Sequence, residues 1–380
     1  MNLTCLVILT NDYEVFGNGT GHVEHCLIKP TEKLLELCSK HEVPVTLFAD
    51  IAEYWAFEEE EGKKAFSGDY LPASKIRNQL IHAIKTGHDV QLHLHPQWLN
   101  YAYDAQTGWK LDLNMWRLPS LPYGNCGDRL SILGALDQAK KTLQDILKPA
   151  SNDYECIAFR AGAWCIQPES EVLRALKDIG IKIDSTVVPG LSFNNGITEF
   201  DFRSCISVFK EKAYWYISEY LNRPGFNDCE CLIEVPILSV PYFIHKRFAN
   251  KLKRKRLGLF NNPLSCRGTI LSKELQDRKV TNTNLFTKIL NKIKRQEMVD
   301  FTIASADEMY YAVKQAIKMY KGKFERIPIV FISHSKVLGN ENLRELERFI
   351  LTAKAKGILF GKYGDVLNWE AEKRRHSGCN

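Results

Sequence analysis

Polar residues suited to hydrolytic chemistry recur in this sequence at one kind of place, the end of a short apolar run. The run CLVILT leads into Asn11, Asp12 and Glu14, and VQLHL carries His93 and His95 ahead of Pro96 and Gln97. CIAF leads into Arg160, Gly162 and Trp164, IKI into Asp184 and Ser185, and IPIVFIS into His334. His93 and His95 are two positions apart, so on a strand both imidazoles leave the same face. Two imidazoles aimed together beside a carboxylate make half of a divalent-metal site, with zinc the favoured ion. Such an ion, with coordination positions left open, polarises a carbonyl and lowers the pKa of bound water, which is what hydrolysing an amide or ester requires. Any one of these residues alone reads as a cap or a satisfied surface group; the signal is their convergence. His88 reads as a cap of the preceding helix, and His22 and His25, in GNGTGHVEH, as residues of the first loop able to line a pocket.

These residues act together only if their strands lie side by side with the same ends aligned. Strand-like runs at 3–9, 43–48, 90–94, 156–159, 181–183, 232–235, 328–333 and 358–360 alternate with helical periodicity at 30–41, 73–86, 129–147, 169–179, 285–294, 306–320 and 341–355. That rhythm is βαβ logic and predicts a parallel sheet or barrel, in which functional side chains stand where strands end. The pattern loosens near 100–127 and 190–280, read as insertions into one α/β barrel domain spanning 1–380.

The constellation resembles the polysaccharide deacetylase, or NodB-homology, family of metal-dependent deacetylases built on a distorted (β/α)7 TIM-like barrel. ILTNDYE is similar to the family's first motif, GHDVQLHLHP to the second, FRAGAW to the third, IDSTV to the fourth and IVFISH to the fifth. The resemblance implies Asp12 as base, Glu14, His93 and His95 as metal ligands, Arg160 as the residue orienting the base with Asp184 near it, and His334 as general acid. Trp164, Trp98 and His22 are the expected substrate contacts, with Trp109, Trp116 and Tyr101 offering further aromatic faces for a sugar ring. Two departures leave alternatives open. Asn11 stands where the family has a second aspartate, so Asp12 could itself be a ligand. The family spaces its histidines four apart, and His93 plus four is Gln97. Either His95 is the second ligand, or Gln97 is a weak oxygen donor, or the site is degraded. The implied substrate is an acetylated sugar, nucleotide- or lipid-linked, in surface polysaccharide biosynthesis. The alternatives are a catalytically degraded carbohydrate-binding or scaffold protein and a non-sugar C–N amidohydrolase.

Length and composition set the outer bounds. The 380 residues are 45% hydrophobic and 25% charged, the proportions of a globular chain with a core. The net charge of +6 is local: the stretch HKRFANKLKRKR at 245–256 holds seven Lys/Arg and no acid, and the rest of the chain carries −1. This disfavours nucleic acid as a partner and points to contact with an anionic membrane through 245–256, where Phe248, Leu252, Leu257, Leu259 and Phe260 add apolar character. The N-terminal apolar run reads as a buried strand rather than a signal peptide, and no run reaches the length of a spanning helix. A cytoplasmic location, peripheral to the inner face of the membrane, is expected. Cys5, Cys38 and Cys156 read as reduced core thiols, and the CxC at Cys229 and Cys231 lacks a second Cys/His pair at zinc-site spacing.

Overall fold

The computed structural model describes residues 3–68, 70–225, 232–260 and 294–377. The CxC at Cys229 and Cys231, and the helix expected at 285–294, all but its last residue, lie outside them. In chain order the elements are β1 (Thr4–Tyr13), α1 (Lys29–Lys40), β2 (Val45–Asp50), α2 (Ile51–Gly62), α3 (Pro72–Lys85) and β3 (Asp89–Leu94). A hairpin of β4 (Tyr101–Asp104) and β5 (Gly108–Leu111) precedes α4 (Ile132–Leu147), β6 (Ala158–Ala161), α5 (Ser170–Asp178) and β7 (Ile183–Asp184). Then come β8 (Ser192–Asn194), β9 (Glu199–Asp201), α6 (Cys205–Glu211), β10 (Trp215–Ile217), β11 (Leu232–Glu234), β12 (Ser239–Phe243) and α7 (Ile244–Arg256). The chain closes with β13 (Lys294–Met298), α8 (Ala306–Tyr320), β14 (Arg326–Phe331), α9 (Asn340–Ala355), β15 (Leu359–Phe360) and α10 (Tyr363–Ser377).

The main sheet runs β10-β11-β7-β6-β3-β2-β1-β14, with β15 against the first half of β1, and is parallel except at β10. It curls into an open half-barrel flanked by helices, a distorted version of the expected barrel. Its two ends approach each other through single parallel bridges, Ile237 with Val330 and Asp300 with Ile332. The strands read as near-continuous apolar runs because both faces are covered, and Val7, Ile8, Leu9, Val45, Leu47, Val90 and Leu92 are all fully buried.

Register decides which polar residues meet. Asp12 pairs with Phe48, Asp50 with His93, and His93 with Arg160, so these side chains share the inner face. Thr10, Asp12 and Glu14 alternate onto that face along β1, as do His93 and His95 along β3.

Four of the described α-helices were not among the expected ones; α6 and α7 fall in the stretch near 190–280 that was read as an insertion. α2 is buried nearly all round, from Ile51 through Phe57, so it shows no apolar stripe for periodicity to detect. α10 has many charges and little amphipathic contrast. His88, expected as a helix cap, is instead a buried strut: Val45 N donates to its Nδ1 at 3.3 Å and its Nε2 meets Ser39 Oγ at 2.9 Å. Cys5, Cys38 and Cys156 are buried and free.

Candidate metal centre and active site

Glu14 and His95 stand just beyond the ends of β1 and β3, and His93 near the end of β3. Among the described residues they form a group of His, Cys, Asp and Glu side chains whose ligand atoms all lie within 4.8 Å of one another. Glu14 Oε2 is 2.6 Å from His95 Nε2 and 3.3 Å from His93 Nε2. The donors fit a divalent ion for reasons visible at each ring. His93 Nδ1 donates to the Arg160 carbonyl oxygen at 2.7 Å; a carbonyl can only accept, so Nδ1 holds the proton and Nε2 offers a lone pair. Both Nε2 atoms are buried and make no hydrogen bond of good geometry. His95 Nδ1 lies 3.1 Å from the Gln97 side-chain amide, whose Oε1 is a buried acceptor without a partner. Gln97 Nε2 also donates to the Gly17 carbonyl oxygen at 3.2 Å, which can only accept, so the amide meets His95 Nδ1 as a donor and the ring proton sits on Nε2, facing Glu14 Oε2, from where an ion bound at that nitrogen would displace it. Gln97 thus orients His95, and its amide contacts Gly17 and His95 rather than Glu14.

Gly162 seats the second imidazole. Its φ is not positive, but a Cβ there would meet His95 Cγ and Cδ2 at 2.7 Å and Leu94 O at 2.6 Å. It serves close approach, not conformational freedom.

Beside the triad, Asp12 Oδ1 accepts from Arg160 Nη1 at 2.5 Å, and Asp12 Oδ2 lies 3.6 Å from His334 Nε2. Arg160 is fully buried. Its Nη1 also bonds Thr10 Oγ1 at 2.9 Å, its Nε donates to Ser185 O at 2.9 Å, and its guanidinium stacks 4.1 Å above the Phe48 ring. Burial acts to raise the Asp12 carboxyl, but Arg160, with His93 and His334, outweighs it and holds the pKa below its usual value. Burial likewise opposes ionising Glu14, and His95 and Lys336 hold it well below the carboxylate range.

Asp184 was expected near Arg160, and the guanidinium charge does reach it, but the arginine's hydrogen bonds go to Asp12, Thr10 and Ser185 instead. The reason is alternation: Asp184 is in register with Phe159, so it leaves the sheet on the face opposite Arg160. There it accepts from Thr186 Oγ1 at 2.6 Å and adjoins Glu234, its register partner on β11. Trp98 was expected to contact substrate but is 1% exposed and packs on Phe57 and Trp109, so its apolar ring is already satisfied in an aromatic cluster. His22, the other loop candidate, is exposed and lies against Tyr70 and His25, away from the cavity wall.

A cavity of about 490 Å³ opens over the triad. Asp12, Glu14, His95 and His334 form its floor, and Phe16, Trp116, Trp164 and Val337 supply apolar walls. The indole N–H groups of Trp116 and Trp164 are buried and without acceptors. Ala163 and Trp164 at the rim hold φ of +50° and +57°, a left-handed conformation that costs non-glycine residues about 1–3 kcal/mol each.

Four functional candidates escaped the reading of the sequence. Lys336 lines the cavity with Nζ 2.5 Å from Glu14 Oε1 and 3.1 Å from Val15 O. Asp50, at the end of β2, caps α2 through Ala52 N and Glu53 N and accepts from His95 N at 3.2 Å, while its buried Oδ2 has no partner. Glu53 accepts from Val15 N, and burial with Asp50 and Glu14 nearby raises its pKa well above the usual value. Asp300 is buried close enough to feel the charges of His334 and Asp12. Asp50 could have been found by asking of β2 what was asked of the other strands.

A curled α/β sheet that gathers a carboxylate and two imidazole nitrogens facing it, beside an arginine-held aspartate and a histidine, is the arrangement at which a metal-dependent hydrolase works. No known family profile and no curated protein matches the sequence. Solved structures similar in fold over nearly the whole chain include a family 4 carbohydrate esterase from Streptomyces lividans, at 11% identity over 95% of this chain and 94% of that one, with a TM-score of 0.35. They also include the PuuE allantoinase, at 11% over 96% and 90%, TM-score 0.45. A GH57 branching enzyme from Thermococcus kodakaraensis is similar at 10% over 96% and 70%, TM-score 0.47.

Proposed function

We propose that the protein is a metal-dependent deacetylase that hydrolyses an N-acetyl or O-acetyl group on a sugar. The observation that carries this reading is that Glu14 and His95 of the triad and Asp12 and His334 beside it line one cavity, with His93 and Arg160 buried directly behind them. A divalent ion, zinc by preference, would be held by Glu14 Oε2 and the two Nε2 atoms, and would supply Lewis acidity toward an acyl carbonyl and activation of water near neutral pH. The protein's own groups do the rest. Asp12, kept ionised and oriented by Arg160, takes the proton of the attacking water. His334, across the cavity floor, gives a proton to the departing amine or alcohol; such a positioned group contributes roughly 10² to 10⁴ in rate. Trp116 and Trp164 line the cavity and offer flat faces to a ring.

The cavity volume of about 490 Å³ supports a substrate of one or two rings, such as a nucleotide- or lipid-linked saccharide. The same volume admits a small non-sugar amide as the second reading. An intact donor triad argues against a degraded binding protein. Among the described residues no helix is long and apolar enough to cross a membrane, and a cytoplasmic site of action is part of the proposal.

The test is acetate release by zinc-loaded protein from a panel of N-acetylated nucleotide and lipid-linked sugars and small amides. Asp12→Asn and His334→Ala should each lose at least about 10² in rate; His334→Ala should keep the wild-type melting temperature, whereas Asp12→Asn leaves the buried Arg160 uncompensated and should melt lower, so its rate is read at a temperature where it is folded. Near-wild-type turnover in either variant would refute the mechanism, and hydrolysis of non-sugar amides alone would favour the second reading.

A further inference from the structure

The basic helix α7 is built inside out. Its thirteen residues, IHKRFANKLKRKR, contain no acid. At 100° per residue, Lys246, Arg247, Asn250, Lys253 and Arg254 fall on one side and Ile244, Phe248 and Leu252 on the other. The inner side faces the protein, and its cations are consumed there. Arg247 pairs with Glu297 at 2.7 Å, Arg254 with Glu308 at 2.6 Å and Lys253 with Asp307, while Lys246 stands over the Tyr311 ring. The outer side carries the apolar stripe: Ile244 is 56% exposed, Phe248 65% and Leu252 49%, with Phe260 beyond the helix end at 52%. Lys251, Lys255 and Arg256 are exposed along this stripe and make no ion pair with any described residue.

We propose that the outer face of α7 docks on an anionic bilayer surface. Large exposed apolar side chains at i, i+4 and i+8 are what a soluble helix avoids and an interfacial helix requires. Three unpaired cations with long apolar stems, and no acid to repel phosphate, supply the electrostatic half of that fit. The face is also placed to be useful. Arg254 meets Glu308 at the start of α8, and Asn342 at the start of α9 reaches toward Leu259 O at 3.5 Å. α8 and α9 follow the strand ends that bear Asp300 and His334, so the end of α7 lies on the barrel face where the cavity opens. The inference stands whether or not the reaction is deacetylation.

The test is flotation of the full chain with vesicles of phosphatidylcholine alone or mixed with phosphatidylglycerol, at low and high salt. Wild type should bind only the anionic vesicles, and less as salt rises. Phe248→Gln with Leu252→Gln, and separately Lys251→Gln with Lys255→Gln and Arg256→Gln, should each weaken binding roughly tenfold or more, with the melting temperature unchanged. Failure of wild type to bind anionic vesicles, or binding that neither set weakens, would overturn the proposal. So would a wild-type dimer that Phe248→Gln with Leu252→Gln dissociates, because the occupant would then be a second copy of the chain.

Discussion

At the scale of single residues, Lys336 is the side chain that most changes the chemistry of the floor. It takes Glu14 Oε1 at 2.5 Å while Oε2 faces the imidazoles, so the carboxylate is divided between an internal cation and the metal position. An ammonium this close repels a dication, and restricts Glu14 to one ligand atom. Lys336→Met should therefore tighten zinc binding roughly tenfold, the equivalent of about 1.4 kcal/mol, as measured by competition with a chromophoric chelator. Weaker binding would mean that Lys336 matters by ordering the carboxylate rather than by its charge. Nothing in the run SHSKV marks this lysine, because a lysine two places after a histidine is ordinary in a loop. What the sequence did disclose at this scale was Asp12, Glu14, His93, His95, Arg160 and His334, since each stands where a strand runs out of apolar residues.

Elements decide which face such residues occupy, and there the sequence was less legible. Asp184 ends β7 and Ser185 follows it, and that one position separates the arginine's partner from a carboxyl on the far side of the sheet. Asp184 and Glu234, paired in register, are both fully buried, and their second oxygens lack hydrogen bonds unless a proton lies between them. Burial pushes Asp184 from 3.8 to about 6, and burial with Asp184 beside it raises Glu234 well above its usual value. A raised carboxyl pKa means that the folded state binds more protons than the unfolded state. Stability is then fully present below the unfolded value near 4 and falls as pH rises through the folded value near 6. At about 1.4 kcal/mol per unit, the Asp184 shift alone removes roughly 3 kcal/mol across that window. Asp184→Asn should flatten this slope, so that the variant gains on wild type between pH 4 and 8 in denaturant melts; parallel profiles would show the pair to be electrostatically silent. α2 was hidden for the opposite reason: burial on all sides erases the periodicity that reveals a helix. α7 shows the limit of composition, since four of its seven Lys and Arg residues turn inward to internal partners, a partition that sequence spacing permits but does not announce.

For the whole molecule, the alternation of strands and helices conveyed a parallel barrel, yet not that the sheet stays an open half-barrel whose ends meet through single bridges. Closure depends on Ile237 and Asp300, which sit in irregular segments and pair one residue at a time. The same long-range assembly gives the site its thermodynamics. Glu14 lies on one strand and His93 and His95 on another, 79 positions along the chain, so the unfolded polypeptide does not hold the three together. An ion that binds only the folded state stabilises it by mass action, about 4 kcal/mol at a thousandfold excess over the dissociation constant. Zinc should therefore raise the melting temperature in a concentration-dependent way, and a chelator should reverse the rise. In His95→Ala the zinc-dependent rise should vanish, and the metal-free variant should itself melt lower because a buried imidazole packed on Gly162 and Trp116 and paired with Glu14 is lost, so the rise is compared within each protein. A zinc-dependent rise that persists in His95→Ala would place the ion elsewhere and remove the structural basis for the proposed reaction.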